Sequence, residues 1–330
     1  MGRKMALLNY KDVKKQSVAV YANFAEKWQK HSLENSKLKS VHPETFQNIG
    51  LGKALVFCAM GASLEKDIEL LKQYRDRVDI MCCDKAFGKL LDNGIKADYV
   101  MLADANIDYD AWLAPYIWQT EGVKLISTVY ANPQWTSKWR GDVTFYMNKD
   151  AIGSERHFLP TWGDNMRIIP ASSNVSNAMV VFMLGCDDNS RINYAGYQHY
   201  FLTGFDYSWQ TDGNYYAFCN PADKRHYMNH RTFLDCYKNI CHTSENLIFS
   251  AKWLMQYIET FKIPVMNCSG RGLLEISSRG ELSAILPKMT PDKTVPKRIR
   301  EEYENLRKLH SAFNEAEAKF NKNREVLIWQ

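Results

Sequence analysis

Apolar residues along the chain gather into short runs separated by stretches with helical spacing. Ala54 to Ala59, Val78 to Cys83 and Tyr99 to Leu102 are runs of strand length, and each leads into a small-residue turn or an acid. Between them, Glu65 to Tyr74 sets Ile68 and Leu71 on one helical face, and Phe87 to Asn93 forms a second short helix stopped by Gly94. Val123 to Val129 and Val143 to Met147 continue as strands. Ser173 to Gly185 reads as a buried helix following Ile168-Ile169-Pro170, and Tyr200 to Thr203 as a strand ending at Gly204-Phe205-Asp206. Asn246 to Thr260 is amphipathic, and Val265 to Asn267 is a last strand. Strands alternating with helices predict βαβ units, hence an α/β fold with a mostly parallel sheet flanked by helices.

Helices are added at both ends. Residues 7–40 carry Val18, Val20, Tyr21, Phe24, Ala25 and Trp28, and residues 297–330 carry Ile299, Leu306, Phe313 and Phe320 seven apart. A seven-residue stripe packs on the body or pairs with another helix, which offers an oligomerisation surface. The expected divisions are a basic helical extension over 1–45, the Rossmann-like domain over 46–286 and a linker with C-terminal helix over 287–330. Within the domain, 207–242 is rich in Tyr, Asn and His without periodicity and reads as a lid.

Charge sharpens this division. The chain of 330 residues has net charge +5, but residues 1–40 hold nine basic against three acidic side chains, so the remainder is close to neutral. Such an arm suits an anionic partner or simply a solvated helix. With 45% hydrophobic residues the composition is that of a globular protein and excludes a disordered chain. No apolar run is long enough to span a membrane, and Met1-Gly2-Arg3-Lys4 opens no secretory leader; a cytoplasmic protein is expected. Eight cysteines do not make a disulfide scaffold. Cys58, Cys82, Cys83 and Cys186 sit in apolar runs. Cys219, His226, His230, Cys236, Cys241 and His242 follow no zinc spacing and contain no C-x-x-C, so they read as loop residues rather than a zinc site.

In an open parallel sheet, ligands bind beyond the C-terminal ends of the strands. The candidate chemistry lies there. Gly61-Ala62-Ser63 enters a helix through a small-residue turn, suited to a phosphate on backbone and hydroxyl donors. Asp84, Asp98 and Asp104, at or near consecutive strand ends, are candidates to hold Mg²⁺ against a diphosphate, or to position a ribose. Ser172 to Asn177 opens the buried helix with more hydroxyls and amides than one cap needs, so Ser173, Asn174 and Asn177 are candidate nucleotide contacts. Asp206 ends a further strand, and Asn267 and Ser269, in the Gly-bounded turn that closes the last one, are further candidate nucleotide contacts.

These segments, in this order, resemble one family, which includes the archaeal 6-hydroxymethylpterin diphosphokinases (MptE-like proteins) and the motility accessory factors associated with flagellin glycosylation. The resemblance rests on Ala59-Met60-Gly61-Ala62-Ser63-Leu64, on Asp84-Lys85-Ala86, and on Gly94-Ile95-Lys96-Ala97-Asp98-Tyr99-Val100-Met101-Leu102-Ala103-Asp104. Leu184-Gly185, Gly204-Phe205-Asp206 and Asn267 to Gly272 complete it. Where the family has Gly and Pro in the first turn, this chain has Ala59 and Ala62; Lys96-Ala97 stands for Lys-Pro. The resemblance implies a nucleotide-dependent transferase with a sialyltransferase-like Rossmann core. One expectation is glycosyl transfer from a CMP-activated sugar to a hydroxyl of a protein, glycan, small molecule or nucleic acid. The alternative is Mg²⁺- and ATP-dependent diphosphoryl transfer, and a third is a non-catalytic nucleotide-binding or assembly module. Asp104 and Asp206 are expected at the reacting end, with His226 or His230 of the lid as general base.

Overall fold

A computed structural model describes residues 10–150, 153–170, 172, 174–185, 193–210, 215–219 and 231–290. The described residues belong to one compact unit; the seven-residue stripe, Cys186, Ser173, His226 and His230 lie outside them.

Eight strands make one sheet: β1 (Ala54–Cys58), β2 (Val78–Cys83), β3 (Tyr99–Leu102), β4 (Lys124–Thr128), β5 (Val143–Lys149), β6 (Met166–Pro170), β7 (His199–Thr203) and, at the far edge, β10 (Val265–Asn267). Two more, β8 (Arg231–Leu234) and β9 (Ile240–Thr243), form a separate antiparallel hairpin. The sheet order is β10-β7-β1-β2-β3-β4-β5-β6, and every pair in it is parallel. The helices are α1 (Tyr10–Asn35), α2 (Ile68–Gln73), α3 (Asp84–Asp92), α4 (Tyr109–Trp112), α5 (Pro133–Lys138), α6 (Leu159–Trp162), α7 (Val175–Leu184), α8 (Glu245–Phe261) and α9 (Leu282–Ile285).

A parallel sheet is covered on both faces, so its strands read as continuous apolar runs. All of β1 and β3 is buried, and β2 is buried except for Asp79. In α7 every residue from Asn177 to Leu184 is buried, which is why its sequence shows no polar face. It packs on β2, β3 and β6, while α3 packs on β2 and β3. Cys58 and Cys82 are register partners on β1 and β2, and burial holds both thiols well above their usual pKa.

The departures from sequence expectation have local causes. β6 is an edge strand with only Met166 and Ile169 buried and Ile168 exposed, which gives a weak apolar run, and the sequence reading made it a lead-in to α7. The hairpin lies inside the expected lid; all of β8 is exposed, so no core pattern marks it. The segment expected as one helix over 65–74 begins as a 3₁₀ turn at Ala62 and turns α-helical at Ile68. α3 begins at Asp84 itself, three residues before the expected start.

α1 joins this core at its C-terminal end. Asn35 is fully buried; its Nδ2 donates to the carbonyls of Val129 and Ala131 at 3.0 Å each, and its Oδ1 accepts from Thr136 Oγ1 at 2.6 Å. Trp162 Nε1 donates to Ser32 Oγ at 2.7 Å, and Trp28 stacks on Tyr130 with ring centroids 4.2 Å apart. Asn35→Ala leaves two buried carbonyls and a hydroxyl without this partner. It is expected to lower unfolding stability by about 2–3 kcal/mol, read by urea titration, and to speed amide exchange in α1 ahead of the sheet. A change in stability with unaltered exchange in α1 would contradict the anchoring role.

Candidate functional site

A cavity of about 420 Å³ opens at the C-terminal edge of the sheet. Its floor is built where strands end. Met60 follows β1, Asp84 and Lys85 open α3 directly after β2, Asp104 follows β3, Tyr130 follows β4, and Asn148 is the last residue but one of β5. Asp150, Ser172 and Asn174 continue the polar rim. The walls are apolar and aromatic: Trp28, Val13 and Val20 of α1, Phe249 and Trp253 of α8, and Phe158.

The polar groups are tied to one another. Asn148 Nδ2 donates to Tyr130 Oη at 3.1 Å, and Ser172 Oγ donates to Asn148 Oδ1 at 3.2 Å. Asn174 caps α7, its side chain accepting from Asn177 N at 2.9 Å. Asp104 is exposed, and its Oδ1 accepts from Asn106 N at 2.7 Å. Asp84 is only 4% exposed and accepts from Lys85 N at 2.8 Å. Burial, with a further contribution from the Asp104 charge, pushes the Asp84 carboxyl up to about 6, against the pull of Lys85.

Of the expected site residues, the structure brings Asp84, Asp104 and Asn174 together on this cavity. It does not bring Asp98 there. Asp98 lies before β3, at the opposite end of the strand, where its carboxylate accepts from Ile80 N at 2.7 Å and pairs with Arg75 at 2.8 Å. Asp98 thereby drops out of the three acids expected to share a metal, because a strand's two ends are a strand length apart. Among the described residues, no group of three or more His, Cys, Asp or Glu side chains is placed to hold a metal ion. Asp84 and Asp104 fit a hard cation that takes one or two protein carboxylates and completes its shell with substrate oxygens and water.

Gly61, Ser63 and Asp206 do not line the cavity either. The Asp206 carboxylate, 1% exposed, accepts from Ser63 N at 2.9 Å, from Ser63 Oγ, and from Arg271 Nε at 3.0 Å. The protein's own carboxylate thus takes the donors that the sequence reading assigned to a phosphate. The fit is close: a Cβ on Gly61 would lie 2.4 Å from the Gly204 carbonyl and 2.7 Å from Asp206 Cγ. Asn177 is fully buried and ties α7 to α8, donating to Ser250 O at 2.9 Å and accepting from Tyr207 Oη at 2.5 Å. Asn267 and Ser269 hold the turn after β10: Asn267 Nδ2 donates to Leu274 O at 3.0 Å, and Ser269 Oγ accepts from Phe205 N at 3.0 Å. These three amide and hydroxyl side chains are packing polar groups, corrected from nucleotide contacts.

Sequence reasoning passed over Lys85, Asn148, Asp150 and the α1 wall. Lys85 stands beside a noticed acid, and its signal was there: a cation in the first turn of a helix, against the helix dipole. Asn148 and Asp150 gave no separate signal, since they trail an ordinary strand.

A family model described as "6-hydroxymethylpterin diphosphokinase MptE-like" matches residues 22–211. Among solved structures, the MAf glycosyltransferase from Magnetospirillum magneticum AMB-1 is similar, with TM-score 0.59 at 20% identity over 81% of this chain and 40% of that one. That likeness is one of fold. An uncharacterized protein of Treponema pallidum (strain Nichols) is 28% identical over 86 residues, 26% of this chain and 41% of that protein. The chain therefore spans about two fifths of the length of these relatives. The family match takes in every strand from β1 to β7 and the strand-end residues Asp84, Asp104 and Asn174. On that match, which spans more than half of its length, the chain belongs to the MptE-like family.

Proposed function

We propose that this protein is a nucleotide-dependent transferase whose donor binds in the strand-end cavity, passing a glycosyl group to a hydroxyl acceptor. The observation that carries this reading is the cavity itself. Its lining gathers Asp84, Asp104, Ser172 and Asn174 together with the stacked rings of Trp28 and Tyr130. Aromatic faces suit a base or a sugar ring, and the amides and hydroxyls suit a ribose. Asp104, exposed on the floor, is placed to take the proton of an acceptor hydroxyl. Family membership supports a transferase in general terms.

A second reading is diphosphoryl transfer from ATP. What favours it is the electrostatic coupling of Asp84 and Asp104, which both line the cavity. A Mg²⁺ ion shared by these two carboxylates would neutralise the charge developing on a transferred phosphoryl group.

A thermal-shift panel separates the readings. A ligand bound only by the folded state, at about a hundred times its Kd, stabilises by about 2.7 kcal/mol, which moves Tm by about 5–10 °C for a domain of this size. CMP or CDP acting without metal supports glycosyl transfer. ATP acting only with Mg²⁺, and not in Asp104→Asn, supports the diphosphokinase. If no nucleotide moves Tm at millimolar concentration, both fall and a non-catalytic module takes their place.

A further inference from the structure

Three carboxylates line the cavity, Asp84, Asp104 and Asp150, and Lys85 is the one cationic side chain among its described lining residues. Its backbone is fixed as the second residue of α3. Its ammonium donates to Tyr216 Oη at 3.2 Å and lies 4.8 Å from the centroid of the Tyr216 ring and 5.6 Å from that of Trp112. An ammonium carries three donors, and among the described residues Lys85 spends one of them, on Tyr216. A lysine with two unspent donors among the described residues stands on the lining of a cavity otherwise edged with acids.

We infer that Lys85 is the anchor for a phosphate oxygen of the ligand, with Tyr216 as the positioning residue that holds the ammonium against the cavity wall. Choosing phosphate rests on the nucleotide reading above. The acids make the same choice: alone they repel an anion, so an anionic ligand needs Lys85, and a phosphoryl group also brings the cation that Asp84 and Asp104 accept. Tyr216 is itself held by its own segment, since Ala217 N donates to Met60 O at 2.9 Å and Phe218 N to Glu65 Oε1 at 2.7 Å. The anchor therefore joins the family-matched floor to a segment beyond the match.

The test uses inorganic pyrophosphate with Mg²⁺ as the probe, on the full chain, by calorimetric titration. Wild type is expected to bind it, and Lys85→Met to lose about ten- to a hundredfold in affinity, the size of a hydrogen bond to a charged group. Lys85→Arg should restore most of the loss. Tyr216→Phe, which keeps the ring and removes the hydroxyl, should weaken binding by about threefold to tenfold without abolishing it. Lys85→Gln keeps the length and removes the charge, so it replaces Lys85→Met if that variant fails to fold. Equal binding by wild type and the neutral variants, or no binding by wild type, overturns the assignment. Titrating CMP against cytidine, and ATP against adenosine, tells this failure from that of the nucleotide reading. Nucleotides that bind no better than their nucleosides, and are indifferent to Lys85, sink the anchor and spare the transferase. Pyrophosphate binding through Lys85 with no nucleotide binding does the reverse.

Discussion

Asp206→Ala is expected to destabilise the fold by about 3–5 kcal/mol, the usual penalty for removing one partner of a buried ion pair. The loss is large because three donors converge on that carboxylate. Ser63 N and Arg271 Nε would be left facing a void, and Ser63 Oγ would lose its acceptor. Burial holds the Asp206 pKa above its ordinary value even though Arg271 and Ser63 pull it down, so the carboxylate is there for its contacts and not because the site welcomes charge. At about 2–4 °C per kcal/mol for a domain of this size, melting should fall by roughly 10 °C. Ser63→Ala removes one hydroxyl and should cost about 1 kcal/mol. Thermal melts of both variants decide the matter. An Asp206→Ala protein that melts like wild type yet no longer responds to nucleotide would return Asp206 to the chemistry.

Asp84→Asn should have the opposite effect on stability. A carboxyl whose folded pKa lies above its unfolded one holds its proton more tightly in the folded state. Stability is then greatest at low pH and falls as pH rises from the usual 3.8 to about 6, after which the deficit stays constant. The separation between those two values corresponds to about 3 kcal/mol at most. Asparagine carries no charge to bury and its oxygen can still accept from Lys85 N. Urea titrations at pH 4 should therefore find the variant and wild type alike, and at pH 7.5 the variant more stable by up to that amount. If Asp84 holds Mg²⁺ as proposed, the same variant should lose any Mg²⁺-dependent response to ATP or pyrophosphate. Gain of stability with loss of ligand response is the mark of a functional group kept at a cost to the fold. A variant no more stable at pH 7.5 than at pH 4, relative to wild type, would mean that water reaches the Asp84 carboxylate.

The central sheet was legible because a doubly covered parallel strand has nowhere to put a polar residue. Ala54 to Cys58 and Tyr99 to Leu102 are uninterrupted apolar runs, and both are strands. Legibility failed where burial did. Met166–Pro170 at the sheet edge and Arg231–Leu234 in the hairpin carry too few inward residues to mark their type. In the site, Asp84 and Asp104 were visible as acids directly after apolar runs, and they do share the cavity. Asp98 looked much the same in sequence but precedes its strand. One strand length separates a residue facing the ligand from one paired with Arg75. Ser63 and Asp206 misled in a different way. A serine in a turn and an acid at a strand end each suit a ligand, but 143 residues apart in sequence they satisfy each other, and no local pattern announces such a pairing.

The roof of the cavity has a consequence for how this protein can diversify. Val13, Gln16, Ser17 and Val20 line it from α1, and Tyr216, Phe249 and Trp253 from the C-terminal side; all seven lie outside the stretch that matches the family, while Asp84, Asp104, Asn148, Ser172 and Asn174 lie inside it. Apart from Trp28 and Phe158, which fall inside the match, the walls are thus encoded on other stretches of the gene than the floor. A substitution in α1 reshapes the space above the acids without touching the strands that hold them, and Asn35 keeps the helix seated while its far end varies. On the proposed reading, lineages can exchange the shape of what is accepted and inherit the floor acids intact, so that molecular recognition and reactivity are free to evolve at different rates within one small cavity.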